Sequence, residues 1–180
     1  MTSYIFHGFP SKKRGETLMP LNILKNVYPD IYEHEVAKYQ GRENIMRTYI
    51  PLLDCYWNDV LMFCIVDPSK IMKAWAETGH EMARPGRWYR IDAEKLEPEK
   101  TAIFLYQNDF NQEYGYKESE FVPFSSERYK SLTYFHEKTL AHYAEYPKKV
   151  ERLLLYYWLP HVFYKGTIPF SDLELCEYSI

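Results

Sequence analysis

Hydrophobic and polar positions along this chain form short blocks whose period keeps changing. Ser3-Tyr-Ile-Phe-His-Gly8 is an apolar run stopped by Gly8 and Pro10 and reads as a first strand. Ser11 to Thr17 is polar and predicts a loop. Leu21, Leu24 and Val27 recur at helical spacing, and Pro29 is expected to close that helix. Asp30 then reads as the N-cap of a second helix through Gln40, ended by Gly41, with Tyr32, Val36 and Tyr39 as its inward stripe. A further helical turn is expected over Arg42 to Arg47, while Pro51 to Trp57 follows neither period.

Val60 to Val66 is apolar throughout, the signature of a strand buried on both faces. Asp67 as cap and Pro68 at the first helical position open a helix through Glu77, stopped by Gly79. Arg87 to Asp92 and Thr101 to Tyr106 read as strands, and Asn108 to Ser119 as a long polar loop able to serve as a lid or binding segment. Ser126 to Tyr146 is expected to be the longest helix, with Tyr129, Leu132, His136, Leu140 and Tyr143 on one broad face. Arg152–Tyr157, Val162–Tyr164 and Leu173–Tyr178 are strand-like, separated by turns at Pro160, Gly166 and Pro169. Strands and helices mix without regular alternation. The pattern therefore predicts an α+β fold rather than α/β: one globular domain over residues 1–180, with mixed or antiparallel strands in a split sheet flanked by helices.

Composition adds one strong feature. The chain holds 18 Tyr, 10 Phe and 4 Trp, densest between Leu153 and Gly166. A tyrosine ring is an apolar body with a polar tip, suited to the wall of a partly wet cleft. The net charge of −3 gives no global case for nucleic acid or an anionic membrane. Basic groups at Lys12-Lys13-Arg14, at Arg84, Arg87 and Arg90, and at Lys148-Lys149 with Arg152 read as solvated surface. Cys55, Cys64 and Cys176 make neither a disulfide framework nor a zinc knuckle. That usage, with no signal-peptide pattern and no apolar run of the roughly 20 residues that span a bilayer, leads us to expect a cytoplasmic protein outside the membrane.

The residues that carry chemistry are few. Asn58-Asp59 abuts the apolar run and either caps the strand start or faces a cleft. His161 lies at a strand start among Trp158, Phe163 and Tyr164, as a structural histidine or one tuned for proton transfer. His136 and His142 are six apart, on opposed helix faces, and do not make a zinc pair. No Gly-x-Ser-x-Gly elbow, phosphate-cradling glycine loop or context for Cys55 as a nucleophile is present.

Taken in order, three segments resemble the ADP-ribosyltransferases, in particular the DNA-targeting toxins of that family. Tyr4-Ile-Phe-His7-Gly8 is similar to their opening strand. Asn58 to Met72 resembles their central strand and Pro-led helix, and Pro160 to Leu175 their closing segment. The resemblance implies that His7 and Gly8 approach the ribose of NAD or a related nucleotide and that Asn58 and Asp59 line the cleft. It also implies that Trp158 or Tyr164 stacks on a ring. His161 stands where the family's catalytic Glu is expected, so the resemblance implies binding more firmly than transfer. Two other readings stay open: a non-enzymatic module that meets a protein partner or a second copy through its tyrosines, and a hydrolase with His161 or His136 as base and Asp59 as its orienter.

Overall fold

The computed structural model describes residues 2–80, 86–108, 115–145 and 154–178. Eleven strands are assigned there: β1 Tyr4–Gly8, β2 Thr17–Leu18, β3 Tyr49–Ile50, β4 Cys55–Tyr56, β5 Leu61–Cys64, β6 Gly86–Asp92, β7 Thr101–Phe104, β8 Phe121–Pro123, β9 His161–Tyr164, β10 Ile168–Pro169 and β11 Glu174–Tyr178. The helices are α1 Leu21–Val27, α2 Pro29–Val36, α3 Pro68–Glu77, α4 Ser126–Ser131 and α5 Glu137–Glu145. Seven strands form one open sheet in the order β11-β6-β1-β5-β9-β7-β8, and every neighbouring pair is antiparallel. The fold is α+β, as the irregular element order predicts.

Strand alternation sorts the sheet's side chains into two layers. Ile5, Leu61, Phe63, Tyr89, Ile91, Ile103 and Val162 lie in one buried layer, closed by Leu18, Ile168 and Tyr129. Phe6, Met62, Cys64, Trp88, Ala102, Phe104, His161 and Phe163 point the other way, as the strand registers require. That second face is covered unevenly. Trp57 packs on Phe104 and Phe163, while Trp75 of α3 packs on Tyr143 of α5. The cleft lies between these two covers and reaches through the β1–β5 gap to His7, Leu61 and Leu18 of the first face. Among the described residues no helix is long and apolar enough to cross a membrane.

Several local expectations are corrected. α1 ends at Val27 before Pro29, as expected, but the same proline also opens α2, with Tyr28 rather than Asp30 in the N-cap position, because proline's missing N–H costs nothing in a first turn. Pro51 to Trp57 makes a small β3–β4 hairpin bridged by short 3₁₀ turns. The long helix over Ser126 to Tyr146 is two helices, broken between Ser131 and Glu137. The side chains of Ser131 and Thr133 donate back to the Arg128 and Lys130 carbonyls, and His136 Nδ1 accepts from the Lys138 N–H at the start of α5. These local bonds compete with the helix ladder over a stretch rich in poor helix formers. Leu154 to Tyr157 makes turns, not a strand. Arg84, residues 109–114 of the long loop, Tyr146, Lys148, Lys149 and Arg152 lie outside the described residues.

Candidate functional site

The cleft begins where β1 and β5 part. Their ladder holds at Phe6 and Cys64, while β1 runs on along β6 through Gly8. His7 bridges the gap that opens: its Nδ1 lies 2.8 Å from the Met62 carbonyl. A carbonyl can only accept, so Nδ1 carries the proton and Nε2 is left as an acceptor. Burial holds this imidazole below its ordinary pKa, against the smaller opposing effects of the Met62 bond and Glu35.

Above this gap is a chamber of about 350 Å³. Its floor includes His7, Gly8, Leu61 and Met62, and α1 and α2 roof it through Leu21, Leu24, Ile31 and Glu35. Ile31, Glu35 and Tyr39 follow at four-residue spacing and share the inward face of this segment. Glu35 is thus a carboxylate on an apolar stripe. Its Oε2 accepts from Lys38, while Oε1 is buried without a hydrogen-bond partner. Lys12, Lys13, Arg14, Lys38 and Arg42 also line the chamber, so among the described residues cations outnumber the one carboxylate although the chain carries net charge −3. Arg14 is held in a two-pronged ion pair by Asp30, at 3.1 and 2.9 Å. Lys13 lies over the Phe170 ring, and Arg42 over that of Tyr39.

A second chamber of about 420 Å³ adjoins the first across a wall of Tyr39, Arg42, Met62, Tyr156 and His161. It is aromatic on most sides. Trp57 stacks on Tyr116, Tyr106 meets Tyr116 edge to face, and Phe104 and Phe163 form the floor. Tyr106 adopts the left-handed backbone region, with φ of 51°. The buried carboxylate of Glu120 secures this corner. It accepts from the backbone N–H groups of Gln107, Asn108 and Lys117, tying together both ends of the loop that carries Tyr106 and Tyr116.

Neither family models, curated proteins nor solved structures give a significant match to this chain. The site therefore rests on its own geometry.

His161 is central to that geometry. It starts β9, opposite Cys64 of β5 and Phe104 of β7, and lines both chambers. Its Nδ1 lies 2.7 Å from the Leu159 carbonyl, so Nδ1 donates and Nε2 is left as an acceptor. Burial pushes its pKa down to about 4 despite that bond. The ring is neutral at pH 7 and a weak base, better fitted to accept a hydrogen bond than to take a proton in catalysis.

Of the other residues singled out from the sequence, His7 and Gly8 line the first chamber. Asp59 does not line either chamber: Asn22 donates to one carboxylate oxygen and the Tyr56 N–H to the other, which makes it a structural cap. Asn58 lies beside it with Oδ1 buried and without a partner. Trp158 backs Tyr106 in a 5.8 Å stack and has Lys138 over its ring, one layer behind the aromatic chamber. Tyr164 points to the opposite face of the sheet, where its hydroxyl donates to Glu97. His136 caps α5 and packs on Trp158. Among the described residues, no group of three or more His, Cys, Asp or Glu is placed to hold a metal.

Glu35, Arg42, Tyr39 and Trp57 were not singled out as site residues from the sequence. A charge at the centre of an apolar four-residue repeat marks Glu35; nothing local marks Arg42.

Proposed function

We propose that the chain binds NAD or a related phosphate-bearing nucleotide in the cleft at the β1–β5 split. The observation that carries this reading is the cation-rimmed chamber that also holds the neutral His7 and the half-satisfied carboxylate of Glu35. Arg14 is already paired with Asp30, so Lys12, Lys13 and Arg42 are the groups offered to the phosphates. Arg42 rests its face on Tyr39 and gives one N–H to the Lys38 carbonyl, and its other edge donors face the ligand. A ribose diol supplies O–H donors, which Nε2 of His7 accepts, as does the Glu35 carboxylate once side-chain rotation turns its buried oxygen into the chamber. The carboxylate that the family resemblance places at His161 is thus supplied from α2 instead.

A thermal-shift titration with NAD and ADP-ribose tests this. A ligand at about 100 times its dissociation constant stabilises the fold by about 2.7 kcal/mol. ADP-ribose, which carries no nicotinamide ring, and NAD are both expected to raise the midpoint, and the double variant Lys12→Ala with Arg42→Ala is expected to lose at least tenfold in affinity for them. No response to either nucleotide at millimolar concentration rejects the reading.

One feature favours a second reading, a protein-interaction surface. Tyr49, Leu52 and Tyr56 of the β3–β4 hairpin are exposed together, with the two tyrosine rings in contact. Measuring the oligomeric state of the protein and of Tyr56→Ser separates the two readings.

A further inference from the structure

The aromatic chamber differs in chemistry from the cation-rimmed one. Its volume of about 420 Å³ falls within the roughly 300–1,000 Å³ of small-molecule sites. Trp57, Phe104, Tyr106, Tyr116, Tyr157 and Phe163 line it and leave the first chamber untouched. Arg42, on the shared wall, is the one charged lining residue among the described residues. Among the described residues no carboxylate lines it, so these walls offer a cationic ligand no counter-charge. Lys12 and Lys13 line only the first chamber, so phosphates are drawn to that side. A flat ring gains stacking and edge-to-face contacts on these walls. The remaining requirement comes from His161. With Nδ1 donating to Leu159, the ring keeps Nε2 as an acceptor in a mainly aromatic lining. A ligand that fills the space without a donor leaves that nitrogen unpaired.

We propose that this chamber is a separate site for a small neutral planar aromatic molecule bearing an N–H or O–H group, which donates to Nε2 of His161. The site then stands beside the nucleotide chamber, with His161 and Arg42 in the wall between. It does not require the nucleotide reading to hold.

Indole and benzofuran provide the probes, since they match in shape and differ in the N–H donor. Ligand-observed NMR titration of the nucleotide-free protein is expected to give at least tenfold tighter binding of indole. In His161→Phe, checked for folding by its thermal midpoint, the two compounds are expected to bind equally. Tyr106→Leu leaves the sheet intact and is expected to weaken both. Equal affinity in the unaltered protein overturns the proposal, as does discrimination that survives in His161→Phe. So do affinities unmoved by Tyr106→Leu, which place the binding elsewhere. Displacement of indole by saturating ADP-ribose also overturns it, by giving the chamber to the nucleotide's own ring.

Discussion

His161 and His7 are half-buried and neutral, and each links stability to acid. The folded pKa of His161 is pushed down to about 4, while an unfolded histidine titrates near 6.5. Between those values the unfolded chain binds a proton that the folded chain refuses, so stability falls as pH drops from about 6.5 to about 4 and levels off below. The slope is at most about 1.4 kcal/mol per pH unit for this residue. Urea midpoints measured across the window are expected to fall less steeply in His161→Phe; an unchanged slope would assign the acid sensitivity to other groups. Glu35 makes the opposite kind of prediction. Its buried oxygen lacks a partner, and such a group costs roughly 1–3 kcal/mol. Glu35→Leu, which removes the unpaired polar atom altogether, is therefore expected to raise stability by about 1 kcal/mol in urea unfolding while weakening ADP-ribose binding. A site built for a ligand carries this signature of stability given up for function. The chain itself displays both residues, but their burial arises from the packing of α2 over the β1–β5 gap.

Elements were legible where caps and breakers agree with the period. Asp67 accepts from the Ser69 N–H and Pro68 opens α3, as their order in the chain predicts. The stretch from Ser126 to Tyr146 shows the limit. Its apolar spacing fits one helix, yet hydroxyl and imidazole bonds to the backbone stop α4 and restart α5. Ser125 caps α4 by accepting from the Arg128 N–H, and Ser125→Ala is expected to cost about 1 kcal/mol in chemical denaturation. Glu120 matters more. Its carboxylate serves three backbone N–H groups at the base of one loop, and hydrogen bonds to charged groups are worth about 1.5–3 kcal/mol each. Glu120→Ala is expected to destabilise the protein by at least 3 kcal/mol in the same assay. It should also lower affinity for whatever occupies the aromatic chamber, because Tyr106 and Tyr116 lose their common anchor.

At the scale of the molecule, the cleft concentrates positive charge in a chain of net charge −3. Nucleotide binding through Lys12, Lys13 and Arg42 is expected to weaken steadily as salt is raised, since exposed charges are screened over about 8 Å at physiological ionic strength. Indole binding is expected to be almost insensitive to salt. Titrations of the two ligands at low and high ionic strength check this contrast. Equal salt dependence would mean that one electrostatic site serves both.

The sequence by itself determined the α+β class, the strands at Tyr4–Gly8 and Leu61–Cys64, the Pro-led helix α3 and the position of His161 at a strand start. Each of these is written in local periodicity, caps and breakers, which act over a few residues. Tertiary structure alone decided which candidates meet. Antiparallel register set His161 opposite Cys64 and Phe104, on the face that the cleft uses, and sent Tyr164 to the opposite face. The parting of β1 from β5 made the gap that His7 bridges. Packing of α2 over that gap brought in Glu35 and Arg42, while Asp59 was spent as a cap. Side chains distant in sequence converge only through strand order and helix placement, and those depend on long-range burial that no local pattern encodes.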